Sequence, residues 1–181
     1  MPLLVEGISV IIKRDAIDKK YPGGWDGFVE DVPNKTLCED DYIARVGFMT
    51  PLDVGEYITQ LEGYGFQHME NGYAIDIVVV DQIRGLCVKC NWLEIFYFSI
   101  DNDQKKRVTA CQTVGDDTKD LYTPDDWFFE SSLSNQYGFV PSGQEDKNLK
   151  YVGNENGCDV YLNLMTCEKC YIGRTGDKKI S

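Results

Sequence analysis

Residues 50–65, TPLDVGEYITQLEGYG, contain the element from which the fold class is inferred. Thr50 stands where an N-cap is expected, Pro51 occupies the first helical position, and Asp53 places a carboxylate in the first turn. The apolar residues at helical spacing are Val54, Ile58 and Leu61. Glycines at positions 63 and 65 end the pattern. The segment therefore predicts a helix over residues 51–62 with one buried face.

Strand patterns lie on both sides of this helix in the sequence. They cover residues 5–13, 42–49, 73–80, 93–100 and 107–114. A second, shorter helix is predicted from apolar residues at i, i+3, i+4 and i+7: Trp25, Phe28, Val29 and Val32. Turn residues at 102–104 predict a hairpin, and a closing hairpin is expected over 159–174. The fold class is α+β, a mostly antiparallel sheet with two or three short helices packed on one face.

The chain length sets the domain organisation that we expect. A chain of 181 residues is long enough to bury a core. We expect a single α+β domain over residues 1–181, with a possible two-lobed arrangement divided near 100–115.

Charge and hydropathy exclude several classes of protein. The net charge is −12, from 30 acidic and 18 basic side chains, which disfavours nucleic acid as a partner because phosphate contacts need Lys and Arg. The apolar runs are too short for a membrane helix. The first residues, MPLLVE, lack the basic region of a signal peptide. We therefore expect a cytoplasmic protein that binds neither nucleic acid nor membrane.

Seven cysteines include two C-x-x-C pairs, Cys87/Cys90 and Cys167/Cys170. Two such pairs can supply a tetrahedral zinc site. However, Cys87 and Cys90 lead directly into a predicted strand, where residues three apart point to opposite faces. The odd number of thiols also argues against a disulfide framework. We therefore expect reduced cysteines and no cofactor, with a zinc-stabilised module as the alternative.

Catalytic motifs are scarce in this chain. His68 is the only histidine, and the sequence contains no nucleophile elbow, P-loop or dinucleotide-binding glycine motif. Asp76 and Glu94 each lie in an apolar strand pattern, where a charge must be paired, be exposed or have a raised pKa. If both carboxylates face one cleft, acid–base chemistry becomes possible. An enzyme with such a cleft is an alternative, but the sequence favours a protein that is not an enzyme.

The densest charge lies in residues 115–146, which contain eight carboxylates and one lysine, a net charge of −7. Aromatic residues accompany this charge, a combination that suits an inhibitor of a basic protein. Trp127 is expected at or near the centre of a partner-binding face. The acidic residues of that face are Asp116, Asp117, Asp120, Asp125 and Asp126.

In size, acidity and lack of catalytic motifs, the chain resembles bacterial immunity proteins, which neutralise toxins. The resemblance is one of general character and assigns no individual residues. It implies an acidic binding protein whose partner is a basic toxin or another basic protein.

Overall fold

A computed structural model describes residues 1–136, 149–155, 158–163 and 169–173, with side chains through residue 135. The helices are α1 (Arg14–Lys20), α2 (Gly24–Asp31), α3 (Pro51–Gly63) and α4 (Leu133–Gln136). The strands are β1 (Leu3–Val5), β2 (Ile8–Lys13), β3 (Cys38–Glu39), β4 (Ile43–Phe48), β5 (Met69–Glu70), β6 (Tyr73–Ala74), β7 (Ile77–Asp81), β8 (Gly85–Leu86), β9 (Leu93–Ser99), β10 (Arg107–Thr113), β11 (Leu149–Glu155), β12 (Cys158–Asn163) and β13 (Lys169–Gly173).

The strands of the described residues pair into antiparallel sheets. A five-stranded sheet has the order β3-β4-β2-β7-β8, and a three-stranded sheet has the order β1-β10-β9. Strands β11, β12 and β13 form another three-stranded sheet, and β5 pairs with β6. The predicted hairpin joins β9 to β10, with Ser99 opposite Arg107. The predicted α+β class with a mostly antiparallel sheet is confirmed.

The five-stranded sheet is buried on both faces. In β2, Ile8, Val10 and Ile12 contact helices α1, α2 and α3, whereas Ile11 points to the opposite face. There it packs with residues of β1, β9 and β10, so the three-stranded sheet covers that face. This alternation follows from the two-residue period of a strand. The helices α1 to α3 therefore lie on one face, as the sequence predicts.

The chain passes from one sheet to the other at Glu6 and Gly7, between β1 and β2. Gly7 has φ of 62°, and a Cβ there would lie 2.6 Å from the carbonyl oxygen of Phe48. Only glycine fits this position, because the backbone is left-handed and a second strand approaches closely. The single strand that the sequence indicates at 5–13 is thus two strands joined at a corner.

Helix α3 follows the sequence pattern closely. The hydroxyl group of Thr50 accepts a hydrogen bond from the backbone N–H of Asp53 at 3.2 Å, and Pro51 is the first helical residue. Leu61 is completely buried. The predicted cap and the predicted buried face are both confirmed.

The strand predicted at 73–80 is interrupted at Ile75 and Asp76. The backbone N–H groups of these two residues donate to the carbonyl oxygens of His68 and Gln67. The chain therefore pairs locally before β7 begins, and the apolar pattern alone does not reveal the break. At the C-terminal end, β12 and β13 are antiparallel with Tyr161 opposite Cys170, which confirms the predicted hairpin pairing.

Candidate partner-binding groove

Residues 121–135, here called the strap, cover the outer face of the sheet formed by β1, β10 and β9. Tyr122 is hydrogen-bonded to β1 through its backbone: its N–H donates to Pro2 and its carbonyl accepts from Leu4. Farther along, Trp127 and Phe129 pack against a small apolar cluster that includes Leu4. Trp127 is half-buried by this packing.

A buried carboxylate fixes the end of the strap. Glu6, at the corner between β1 and β2, is only 6% exposed. One of its oxygens accepts a hydrogen bond from the indole N–H of Trp127 at 2.9 Å. The other accepts from the backbone N–H and the hydroxyl group of Ser134, at 2.7 and 2.6 Å. The position of Trp127 is therefore set by a residue 121 positions earlier in the chain.

A cleft of about 520 Å³ opens between the strap, β4 and the start of α3. Phe128 and Met49 lie in its wall and are 65% and 37% exposed. Phe128 points outward because the chain is extended there, so its side chain alternates with the inward-pointing Trp127 and Phe129. Trp127 and the exposed carboxylate of Asp53 also line this cleft.

A second cleft of about 780 Å³ lies beside the first. Its apolar lining comes from α2, from the loop after α2 and from the strap: Trp25, Val29, Leu37 and Tyr122. Lys35, Asp125 and Asp126 belong to the walls of both clefts. The two clefts thus share one acidic ridge, formed by Asp125 and Asp126, and apolar side chains line the ends on either side of it. We use the word groove for this combined site.

The groove is negatively charged where solvent reaches it. Its carboxylates outside the buried Glu6 are those of Glu39, Asp53, Asp125 and Asp126. Against these four negative charges stands one exposed positive charge, that of Lys35, which leaves a net charge of −3. Within the described residues, Lys35 forms no ion pair.

The loop that carries Lys35 is held from below by Arg45, which is 2% exposed. The guanidinium group donates to the carbonyl oxygens of Thr36 and Glu6 and to the hydroxyl group of Ser9, at 2.8 to 3.0 Å. It lies over Gly47, where a Cβ would come within 2.3 Å of one of its nitrogens. Arg45 is therefore part of the floor of the groove, and its positive charge is buried.

The acidic residues predicted from sequence do not lie together in the structure. Asp125, Asp126 and Trp127 meet in the groove, as described above. Asp116 and Asp117 line a separate cleft of about 450 Å³, together with Asp40, Asp41 and Tyr42. In that cleft the N-terminal amino group of Met1 contacts both Asp116 and Asp40. Its hydrogen bond to Asp116 holds the pKa of that carboxyl well below its ordinary value. Asp120 is exposed and lines neither the groove nor the separate cleft that contains Asp116 and Asp117.

The two carboxylates of the enzyme alternative lie in different parts of the fold. Asp76 precedes β7 and pairs with the Lys20 ammonium group at 2.7 Å, while also accepting from the backbone N–H of Gln67. Glu94 lies in β9 and accepts a hydrogen bond from the side-chain amide of Gln112 at 2.8 Å. A cleft of about 390 Å³ has Glu94 in its wall, and Asp76 does not line it.

The cysteines of the zinc alternative are only partly within the described residues. Cys87 is exposed and Cys90 is half-buried. Burial raises the pKa of the Cys90 thiol. Cys170 lies in β13, and Cys167 falls outside the described residues. Among residues with described side chains, no group of three or more Cys, His, Asp or Glu is placed to hold a metal ion. The zinc site remains a prediction.

Sequence reasoning did not identify several residues of the groove. The sequence pattern predicts Trp25 on the core-facing side of a helix, and Trp25 does pack on the core, with the Arg14 guanidinium 3.5 Å from the centre of its ring. Its position in the groove depends on the strap, which lies about 100 residues later in the chain. The sequence does contain a signal for Phe128. In an extended run of three aromatic residues, the middle side chain points away from the other two, so buried Trp127 and Phe129 would leave Phe128 exposed.

Comparison with known proteins returned no relatives: no family model matches the chain, and neither a curated protein nor a solved structure shows significant similarity to it. Among the described residues, no helix combines the length and apolar character needed to cross a membrane.

Proposed function

We propose that this chain is an acidic, cytoplasmic binding protein that uses the groove to bind a basic protein. One observation carries the proposal: Asp125 and Asp126 are exposed on a ridge between two clefts that are lined with aromatic residues. Carboxylates attract and orient a basic partner. Aromatic and other apolar side chains supply the desolvated contacts on which affinity depends.

We infer the role of Trp127 in binding from its exposure and its contacts. Because it is half-buried and bonded to Glu6, Trp127 supports the wall of the groove from behind. Phe128 presents the larger exposed apolar surface. We therefore assign the anchoring contact to Phe128, with Trp127 holding the strap in place.

An inhibitor of the immunity type is the form of this function that the general character of the chain suggests. A toxin that is neutralised by an acidic protein would present a basic surface. The high density of negative charge in residues 115–146 is consistent with fast, electrostatically steered association.

Binding of an array of synthetic 15-residue peptides tests the proposal. The peptides carry net charges from −4 to +4, and the full-length protein is measured at about 50 and 150 mM NaCl. We expect binding to increase with positive charge and to weaken at the higher salt concentration. If the most positive peptides bind no better than the neutral ones, the proposed function is wrong.

Three variants locate the binding surface. Asp125→Asn and Asp126→Asn remove charge from the ridge, and asparagine suits position 126 because its φ is 61°. We expect each to weaken binding of the basic peptides, by about threefold to tenfold. The matched control Glu70→Gln removes an exposed charge from β5, outside the groove, and should leave binding unchanged. A loss in Glu70→Gln equal to that in the ridge variants would show that net charge alone attracts the peptides.

A further inference from the structure

We propose that the groove recognises an extended segment of the partner in which one lysine or arginine is flanked on both sides by apolar side chains. This inference rests on the proposed function and adds the pattern that the partner must carry. It follows from the order of the chemical groups along the groove. Exposed apolar side chains lie at both ends, each end with one carboxylate (Asp53 or Glu39), and the adjacent carboxylates of Asp125 and Asp126 lie between the ends.

The charges at the ridge favour a single added cation, because the two carboxylates of Asp125 and Asp126 and the one ammonium group of Lys35 leave a net charge of −1 there. Asp125 and Asp126 are adjacent in sequence and both border both clefts. Lys35 borders the same two clefts. Its ammonium group opposes the entry of further positive charge. One basic side chain on the ridge is therefore favoured over a run of several.

The apolar ends of the groove are exposed to solvent. Phe128 and Met49 stand at one end, and Val29, which is 42% exposed, stands with Trp25 at the other. Burying such surface under apolar side chains of a partner is favourable. A basic segment without apolar neighbours would leave both ends in contact with water.

An extended segment matches this order of groups. In a strand-like chain, side chains at i, i+2 and i+4 point to the same side. A partner with apolar residues at i and i+4 and a basic residue at i+2 would therefore present apolar, basic and apolar groups toward the groove together. A nucleic acid is disfavoured because its phosphates would meet four carboxylates and one lysine.

Four ligands distinguish this pattern from simple charge attraction. The first is a capped nine-residue peptide with Leu, Arg and Leu at i, i+2 and i+4 in a background of serine and glycine. The second has the same composition with both leucines adjacent at one end. The third replaces both leucines by serine, and the fourth is ethylguanidine, a small compound with the same single guanidinium charge as the arginine side chain.

We expect the patterned peptide to bind the full-length protein at least tenfold more tightly than the other three ligands, as measured by calorimetry. Phe128→Ala and Val29→Ser should each reduce that advantage about threefold or more. Both side chains are largely exposed, so the fold should be retained, as thermal melts can verify. Lys35→Gln should strengthen the binding of all three peptides, and Glu70→Gln should change nothing.

The results of these binding experiments distinguish failure of the proposed peptide pattern from failure of the proposed function. If the patterned and rearranged peptides bind equally and both lose affinity in Asp125→Asn, the partner is basic and the pattern is wrong. If ethylguanidine binds as tightly as the patterned peptide, the groove recognises only the cation, which also overturns the pattern. If none of the ligands binds and the basic peptides of the array also fail, the proposed function itself is overturned.

Discussion

Glu6 holds the end of the strap to the corner between β1 and β2 through hydrogen bonds. Its carboxylate accepts three hydrogen bonds from Trp127 and Ser134 while being almost fully buried. Removing the acceptor leaves buried donors unsatisfied, which is costly. Both oxygens accept from N–H groups, so an amide in place of the carboxylate would also set an NH₂ group against a donor.

We therefore expect Glu6→Ala to lower the free energy of unfolding by about 3 kcal/mol. Glu6→Gln should be destabilising too, but by less. Urea unfolding measures both variants. Glu70→Ala, which removes an exposed glutamate, serves as the control and should stay within about 0.5 kcal/mol of the parent protein. A cost for Glu6→Ala no larger than that of the control would mean that the strap is not held by this carboxylate.

His68 makes the stability of the fold depend on pH. Burial lowers the pKa of His68 below its ordinary value of 6.5, and the nearby Glu62 carboxylate opposes this effect only in part. Below pH 6.5 the unfolded chain therefore binds more protons at this residue than the folded chain does. Stability should fall as the pH decreases through this range.

We expect the parent protein to lose more stability than His68→Gln when the pH is lowered from 7.5 to 5.5. The difference should stay below about 1.4 kcal/mol. This limit is the free energy gained when the unfolded chain protonates His68 over the one pH unit between 6.5 and 5.5. Urea unfolding at the two pH values measures it, and the comparison cancels the carboxylates that both proteins share. Equal losses in the two proteins would show that burial of His68 does not affect its protonation.

At the scale of elements, α3 combines a local cap with a buried face, and the two contribute different energies. Thr50→Ala removes the side chain that accepts from Asp53 and should cost about 1 kcal/mol. Leu61→Ala should cost about 2–5 kcal/mol, because the side chain is fully buried.

Thr59→Ala is the matched control on the same helix. Thr59 is exposed in the middle of α3, and its hydroxyl group donates a hydrogen bond to the carbonyl oxygen of Gly55 within the same helix. Because alanine has the higher helix propensity, this change should be neutral or slightly stabilising. If all three variants melt at the same urea concentration, neither the cap nor the buried face of α3 contributes as described.

The elements that could be predicted from sequence are those specified by neighbouring residues. The cap at Thr50 and the buried stripe of α3 are local features, so their patterns are visible in a single segment. The break at Asp76 is not local, because Lys20 and the backbone of Gln67 provide its partners. The corner at Gly7 is also hidden, since the close approach of Phe48 is what requires glycine there.

The candidate site divides in the same way. Charge and aromatic content within one segment were enough to select Asp125, Asp126 and Trp127. The opposite wall comes from α2 and the loop that follows it, where Trp25 and Lys35 carry no sequence pattern that relates them to the strap. Asp116 and Asp117 share the charge of the segment but lie in a different cleft, because the fold separates residues that are close in sequence.

At the scale of the whole molecule, the net charge of −12 acts against the compact state through self-repulsion. Salt screens this repulsion: the Debye length falls from about 30 Å at 0.01 M to about 8 Å at 0.15 M ionic strength. The described ion pairs between side chains join Lys19, Lys20 and Lys106 to carboxylates. Salt also weakens these attractions, which lowers the stability of the fold. Repulsion among 30 acidic groups should outweigh these few pairs.

We therefore expect the urea midpoint of unfolding to rise when NaCl is increased from about 10 to 150 mM at pH 7.5. KCl at equal ionic strength should have the same effect, which separates screening from binding of a particular ion. Asp120→Asn, which removes one exposed negative charge, should reduce the salt dependence slightly. A midpoint that falls with salt would show that attractive ion pairs dominate the electrostatics of the fold.

The two strands on either side of the corner at Gly7 have partners that are synthesised at very different times. Strand β2 pairs with β4 and β7, which are complete by residue 81, whereas β1 pairs with β10, so that Leu3 faces Cys111. Synthesis proceeds at about 5–20 residues per second. The partners of β1 and of the Glu6 carboxylate are therefore made several seconds after those of β2. During that interval the apolar strand β1 lacks its partner, so we expect the nascent chain to bind chaperones that hold hydrophobic segments.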